Sequence, residues 1–510
     1  MQAGDISLLK RFAVKRLDII EFIAHTTLVL NTSRENYFKI SVFLQDIGVP
    51  VTASRFSSLP LLPALQSNLS DLSFTEMTEI QAEALPVILK GRDVIAQAKT
   101  GSGKTVAFGL GILHALKVDQ FRVQSLVLCP TRELADQVAR EIRKLARAIH
   151  NIKILTLCGG MPFGPQLASL EHGAHIVVGT PGRIEEHVRK GKLNLEHVSQ
   201  FVLDEADRML DMGFQATMDA IVDKLPQQRQ TLLFSATYPD TIDALAKRVQ
   251  KNPVMVKVET KHTHGSIQQY FYKVRNNSER ASAIHQVLSH FAPESTVVFC
   301  NTKREVSELA QALQDLRYHA LPLHGDMEQR ERDQTLVRFA NKSATVLVAT
   351  DVAARGLDIE ELGMVINYHI ARDPEVHVHR VGRTGRAGSQ GLAISLVEEK
   401  EHFKVERLQE SLEQEISLEK LPDTQRNPAE PTMVTLQIDG GKKQKVRPGD
   451  IVGALTGDGG IAGDSIGKIH VFDFCAYVAV ERSLGKKALN KISKGKLKGR
   501  AFRVRLLKNT

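Results

Sequence analysis

The sequence predicts an α/β protein: two tandem doubly wound parallel-sheet domains followed by a small α+β domain. Three observations carry that expectation. Two successive series of short apolar runs alternate with helix-length amphipathic segments, a polar Pro-containing stretch follows the second series, and positive charge gathers in residues 432–510. Continuous apolar strands separated by helices are what a parallel sheet covered on both faces requires.

A chain of 510 residues exceeds what one compact core normally organises, so several domains are expected. Apolar content of 42% and charged content of 25% are those of an ordinary globular protein. No apolar run reaches the length of a membrane span. The four cysteines, Cys129, Cys158, Cys300 and Cys475, are scattered, without the close pairing that zinc or redox chemistry uses. Cys129 and Cys300 end apolar runs and are expected as buried thiols, which suits a cytoplasmic protein; a monomer is expected.

Residues 1–50 differ from the rest. Lys10, Arg11, Lys15 and Arg16 precede an apolar stretch, but Asp18, Glu21 and His25 interrupt it, so it makes a poor signal peptide. A valine codon can start translation, and Val51 stands where the family pattern described below begins. The first fifty residues are therefore expected to be translated leader, absent from the working protein.

The first α/β domain is expected over 51–257. Its strand-like runs include Asp93–Ala96, Ser125–Cys129, His175–Val178, Phe201–Leu203 and Thr231–Phe234. Lys261–Ser266 is the expected hinge. The second domain, over 268–418, has Thr296–Cys300, Thr345–Val348, Met364–Ile366 and Leu392–Ile394. Leu421–Pro431, rich in Pro and polar residues, is expected to isolate a third domain over 432–510. That last segment holds 16 Lys and Arg against 6 Asp and Glu, a surplus of +10 that exceeds the whole chain's net charge of +9, and such a footprint fits nucleic acid.

The chemistry begins at Gly101-Ser-Gly-Lys-Thr105, between a strand and a helix. Glycines let backbone N–H groups converge on phosphates, and the helix N-terminus adds positive potential. The binding stretch is taken as Ala98, Thr100, Gly101, Ser102, Gly103, Lys104 and Thr105, with Ala98 where the full pattern has Gly. Lys104 would reach the β- and γ-phosphates, and Thr105 would ligate Mg²⁺. Asp204-Glu-Ala-Asp207 follows the apolar strand Phe201–Leu203. Asp204 would hold Mg²⁺ through water, and Glu205 would deprotonate the attacking water. In His379-Arg-Val-Gly-Arg-Thr-Gly-Arg386, Arg383 and Arg386 are candidate arginine fingers for the transferring phosphoryl group. ATP would thus join two domains, and hydrolysis would release them.

Together these strings resemble the DEAD-box family of RNA helicases, which implies RecA-like domains. Phe74–Gln81 is similar to the family's adenine-reading element, with Gln81 placed to bond adenine and Glu79 where the family usually has Pro. Ser235-Ala-Thr237 resembles the segment coupling hydrolysis to closure, and Asp351–Asp358 resembles the second domain's ATP and RNA contact, with Asp358 near the ribose. The resemblance implies RNA contacts at Arg132 in Pro130–Glu133, Gly160 in the Gly159-Gly160 pair, Thr180 and Arg183. It implies others at Thr302, Gly325, Gln329, Arg332 and Thr350. Hydroxyls, glycines and arginines suit sugar-phosphate recognition, which positions a strand without reading it.

Ile438–Leu455 and Ile466–Val471 are similar to the DbpA subfamily. That implies an RRM-like domain recognising structured large-subunit ribosomal RNA, and a role in large-subunit assembly. Phe472, Phe474 and Tyr477 are available for base stacking, although the aromatic-rich RNP1 string is absent. Lys442, Lys443, Lys445 and Arg447, with the basic series Lys486–Arg505, are the expected RNA surface. An ATP-gated clamp without turnover and a DNA helicase are the alternatives. Glu205, Arg383 and Arg386 speak against the first, and the RRM-like tail against the second.

Overall fold

A computed structural model describes residues 55–98, 101–258, 267–354, 362–385, 391–423 and 426–507. The expected leader, the expected hinge, and Thr100, Asp358 and Arg386 lie outside the described residues. The chain divides into two compact units, Met1–Thr260 and Lys261–Thr510.

The first unit contains strands β1 (Val94–Gln97), β2 (Ser125–Leu128), β3 (Ile154–Leu157), β4 (Ile176–Gly179), β5 (Gln200–Leu203), β6 (Gln230–Ser235) and β7 (Val254–Lys257). They form a parallel sheet in the order β3-β4-β2-β5-β6-β1-β7. Successive side chains go to opposite faces, and both faces are covered. Val127, Val202 and Leu232 enter one core, while their neighbours Leu126, Phe201 and Leu233 enter the other. The helix Arg132–Leu145 shows how the cover is made. Thr131 Oγ1 accepts from Leu134 N at 3.3 Å to cap it, and Leu134, Val138, Ile142 and Leu145 form one buried stripe.

The second unit repeats the plan with β8 (Ile267–Val274), β9 (Thr296–Cys300), β10 (Ala320–Leu323), β11 (Val346–Thr350), β12 (Met364–Asn367), β13 (Gly391–Glu398) and β14 (Leu418–Glu419). The order is β10-β11-β9-β12-β13-β8-β14, all parallel. Val298 and Val348 face one core; Val297 and Leu347 face the other. Cys129 and Cys300 are buried free thiols, as expected from their places at strand ends.

The same unit ends in a four-stranded antiparallel sheet, β16-β17-β15-β18, built from β15 (Met433–Ile438), β16 (Ile466–Val471), β17 (Ala476–Glu481) and β18 (Val504–Leu506). The helices Pro448–Thr456 and Gly485–Lys494 supply Ile451, Leu455, Ala488 and Ile492 to a core with Leu436, Ile438, Val478 and Val480. The expected fold class, α/β with two tandem doubly wound sheets and a small α+β domain, is the one found.

The opposite face of this small sheet is also covered, and that corrects the expectation for residues 421–431. Thr435 and Gln437 point away from the small core yet are buried. Asn341 Nδ2 donates to Thr435 Oγ1 at 3.2 Å, Ser343 and Thr435 hydroxyls meet at 2.7 Å, and Gln334 Nε2 donates to Gln437 Oε1 at 3.2 Å. The connection itself is engaged: Ser289 Oγ donates to the Arg426 carbonyl at 3.2 Å, and Glu430 lies 3.0 Å from His319 and 3.1 Å from Arg482. Instead of isolating the basic domain, the segment leads into a docked one, because a polar sheet face can be buried once hydroxyls and amides bond across it.

Candidate functional site

The loop after β1 meets the helix Lys104–Ala115 at Gly103, whose φ of +92° is left-handed. A Cβ there would collide with the Gln81 side-chain nitrogen, so only glycine lets the loop lie against the helix Glu79–Leu89. Thr78 Oγ1 donates to the Ser102 carbonyl at 2.7 Å, and Gln81 Nε2 donates to the Gly103 carbonyl at 3.0 Å. Gln81 Oε1 accepts from Thr78 N at 2.9 Å. Gln81, expected to read adenine, therefore also fixes the loop. Lys104 is buried, with Nζ donating to the Ala98 carbonyl at 2.9 Å, and Thr105 follows it in the first helical turn.

β5 runs beside β6, and β6 beside β1, so Asp204 and Ser235 emerge at the same carboxyl edge as the loop. In open α/β sheets this edge is where ligands bind. Asp204 is buried, and its Oδ1 has no hydrogen-bond partner among the described residues. Burial pushes its pKa up to about 7 although the Lys104 charge opposes the shift. Glu205 is buried with φ +53°, a left-handed conformation that costs a non-glycine residue about 1 kcal/mol or more.

Asp207 was not singled out from the sequence. Its Oδ2 accepts from Ala236 N and Thr237 N, both at 3.2 Å, and from Thr237 Oγ1 at 3.1 Å. The carboxylate string and the Ser235–Thr237 string are thus one bonded assembly. Both strings were legible; the bond between them required the β5–β6 neighbourhood.

A phosphate with Mg²⁺ fits these groups. Ser102 Oγ, Asp204 Oδ1 and Ser235 Oγ are buried without partners among the described residues, and an oxyanion or hydrated ion would supply what they lack. Among the described residues no cluster of three or more His, Cys, Asp or Glu could hold a metal. Mg²⁺ held by one carboxylate and a hydroxyl, completed by phosphate oxygens and water, is the arrangement this ion favours.

The other half of the sheet, β2, β4 and β3, places the expected RNA contacts of this unit. Arg132 opens its helix and pairs with Asp136 at 3.8 Å. Gly160 follows β3 with φ +74°. Thr180 Oγ1 accepts from Gly159 N at 3.2 Å, and Arg183 donates from Nη1 to the Met161 carbonyl at 2.9 Å while its Nε lies 3.1 Å from Glu186. Buried Gln166 donates to the Cys158 carbonyl at 2.9 Å and is met by His187 at 3.3 Å, which steadies the glycine pair from beneath. Nothing in a lone Gln or His signalled that role. The expected nucleotide groups and the expected RNA contacts of this unit thus occupy adjacent halves of one edge.

In the second unit the carboxyl ends of β9, β10 and β11, adjacent in the sheet, carry Thr302, Gly325 and Thr350. Thr302 caps its helix by accepting from Glu305 N at 3.2 Å. Gln329 donates to Asp333 at 2.8 Å and Arg332 to the His324 carbonyl at 3.2 Å, both from the first turn of the helix Gln329–Ala340. Arg383 is half-buried just after the helix Pro374–Val381. Arg380, in the same string, makes a bidentate pair with Asp351 at 2.7 Å for each bond, a structural use the spacing alone did not distinguish.

In the small domain Lys442, Lys443 and Lys445 are exposed, and Arg447 is exposed at the start of the helix Pro448–Thr456. The expectation that Tyr477 is free for stacking is corrected. Its ring is 1% exposed, because it points from the sheet face that the Gln329–Ala340 helix covers, with Arg330 and Asp333 within electrostatic reach. Phe472 is half-buried, edge-on to Tyr477 at 5.7 Å; Phe474 is 68% exposed.

Comparison with known proteins agrees with this geometry. Residues 78–245 match the DEAD/DEAH box helicase family, 279–388 the helicase conserved C-terminal domain, and 435–506 the DbpA RNA binding domain. ATP-dependent RNA helicase DbpA of Escherichia coli is 52% identical over 455 residues, 89% of this chain and 99% of the relative. The Bacillus subtilis protein of that name is 36% identical, over 88% of this chain and 99% of its own. Among solved structures, S. cerevisiae Dbp5 bound to RNA and ADP BeF3 is similar with a TM-score of 0.66 and 31% identity, covering 72% of this chain and 96% of its own. Mss116p bound to ssRNA and AMP-PNP matches with a TM-score of 0.65 and 26% identity, covering 72% of this chain and 79% of its own.

Proposed function

The chain belongs to the DEAD-box family of ATP-dependent RNA helicases and carries a DbpA-type RNA-binding domain, and from that premise we propose how its own residues divide the work. Lys104 and the Gly101–Gly103 backbone hold the β- and γ-phosphates, and Gln81 bonds the adenine edge. Thr105 and, through water, Asp204 would hold Mg²⁺, which would supply positive charge against the phosphates. Ala98, Thr100 and Ser102 complete the cradle, and Asp358 meets the ribose. Glu205 orients the attacking water and takes its proton, while Arg383 and Arg386 stabilise charge on the transferring phosphoryl group. Asp207 ties the carboxylate string to Ser235–Thr237, so that phosphate loss can be felt by the RNA-gripping loops.

RNA backbone contacts fall to Arg132, Gly160, Thr180 and Arg183 in the first unit, and to Thr302, Gly325, Gln329, Arg332 and Thr350 in the second. Closure on ATP and RNA bends the strand and opens a short duplex. Lys442, Lys443, Lys445 and Arg447 anchor the enzyme on structured large-subunit ribosomal RNA, and the protein acts as a cytoplasmic monomer in large-subunit assembly. The similarity of Ile438–Leu455 to the DbpA subfamily supports that finer reading.

The observation that carries the catalytic proposal is the buried Asp204 oxygen, without a partner among the described residues, beside buried Lys104 and strained Glu205. A Glu205→Gln variant should bind ATP and RNA normally and lose RNA-stimulated turnover by about 100-fold or more, the scale of a lost general base. Turnover at the parent rate would remove Glu205 from the mechanism. Deleting residues 432–510 should weaken binding of the preferred RNA and flatten its salt dependence, since each lost phosphate contact lowers the slope by about 0.7–0.9. Unchanged affinity and slope would refute anchoring.

A further inference from the structure

The register of the small sheet gathers three loops at one edge. Ile438 pairs with Ala476 and with Val504, and Val471 pairs with Ala476. The carboxyl ends of β15 and β16 and the amino ends of β17 and β18 therefore share a row. The loops leaving that row carry Lys442, Lys443 and Lys445 on the first and Lys496, Lys498 and Arg500 on the third, all exposed. Beside the first, the β16–β17 turn carries Phe474.

This turn is locked to the first loop. Lys442 N donates to the Phe472 carbonyl at 2.8 Å, Lys443 N to the Asp473 carbonyl at 2.9 Å, and Phe472 N to the Cys475 carbonyl at 2.8 Å. The approach is close enough that a Cβ at Gly441 would strike the Phe472 carbonyl. Lys498 Nζ donates to the Lys445 carbonyl at 3.2 Å and joins the third loop to the first. Asp450 is paired with Lys498 at 3.4 Å, and exposed Asp473 is the acidic neighbour of Phe474. Phe474 is the most exposed of the large apolar side chains among the described residues. A rigid turn that holds an aromatic ring in water, bonded to an exposed lysine loop, is arranged as a stacking platform for single-stranded nucleic acid.

We propose that Phe474 stacks an unpaired base of the anchored RNA while Lys442 and Lys443 hold the flanking phosphates. The proposal rests on the anchoring role of this domain and deepens it. The loop edge, not the sheet, grips RNA, because the sheet face is already closed by the Gln329–Ala340 helix. The ring contributes affinity for any flexible nucleotide with an open face, and the lysines contribute salt-dependent attraction. A fully paired duplex offers phosphates but no free base.

The chain contains no tryptophan, so a full-length Phe474→Trp variant carries a single indole reporter. Its fluorescence should be quenched by an RNA hairpin with unpaired loop bases and not by a blunt RNA duplex of equal length. Phe474→Ala should bind the hairpin about tenfold more weakly, the loss of one base–aromatic stack, with the salt slope unchanged. A Lys442→Ala, Lys443→Ala double variant should lower that slope by about 0.7–0.9 per phosphate. Equal quenching by the blunt duplex, or hairpin affinity unaffected by Phe474→Ala while the lysine variant still lowers the slope, would overturn the stacking role alone. A lysine variant with unchanged slope would remove the anchoring role together with it.

Discussion

Arg280 in the second unit and Asp204 in the first are both buried and both charged by nature, yet their surroundings are opposite. Every donor of Arg280 is used: Nη1 bonds the carbonyls of Tyr368 and Leu396, Nε and Nη2 bond Glu398 at 3.1 and 3.0 Å, and Nη2 also meets Glu401. Asp204 keeps one oxygen without a partner among the described residues and is pushed to a pKa of about 7 by burial. The first arrangement spends its hydrogen bonds on holding a helix to a sheet. The second leaves bonding capacity that no described residue fills. Polar satisfaction, more than burial or charge, separates scaffold from site.

That contrast can be broken by substitution, with the largest effect at the satisfied cluster. Arg280→Met should destabilise by about 3–5 kcal/mol, because Glu398 and Glu401 lose a buried counter-charge. Chemical denaturation would measure it as a lower midpoint at unchanged slope; a loss below about 1 kcal/mol would mean the cluster is not a scaffold. Asp204→Asn should do the reverse. An acid whose pKa is raised on folding binds its proton more tightly in the folded state, so its ionisation opposes folding above the unfolded value near 3.8, and fully above about 7. At pH 8 the unliganded variant should be more stable by roughly 1–3 kcal/mol while ATP turnover is lost. A stability loss at pH 8 would show that Asp204 is a structural group.

His377 sharpens the comparison by a third route, shedding its charge. It is buried beside Phe271, bonds Gln269 at 3.2 Å, and is lowered to a pKa of about 3 by burial and then by Arg380. A histidine with a depressed folded value gives stability that is present above 6.5 and lost as pH falls towards 3. Each pH unit below that onset should cost about 1.4 kcal/mol, and His377→Gln should flatten this limb of the stability profile. An unaltered acid limb would place the titrating group elsewhere.

The fold, and the strings that make up the candidate site, could be read from residue order because both depend on local pattern. Apolar runs such as Ser125–Leu128 and Thr296–Cys300 became strands, and the glycines before Lys104 became a loop at a helix start. What escaped were pairings between distant residues. Asp207 with Thr237, Arg380 with Asp351, and Gln166 with His187 each join segments more than ten positions apart, and no periodicity announces them. Tyr477 was misread for the same reason: its strand was evident, but the helix that covers it was not.

The sequence by itself determined two parallel sheets, the phosphate loop, the carboxylate string and the basic third domain, since spacing and composition act over a few residues. Only the tertiary structure decided which buried polar atoms lack partners, that the small sheet is closed by Thr435 and Gln437 meeting Ser343, Asn341 and Gln334, and that Phe474 rather than Tyr477 faces water. The reason is physical. Desolvation and hydrogen-bond completion depend on every group that surrounds an atom, and those groups are assembled from across the whole chain.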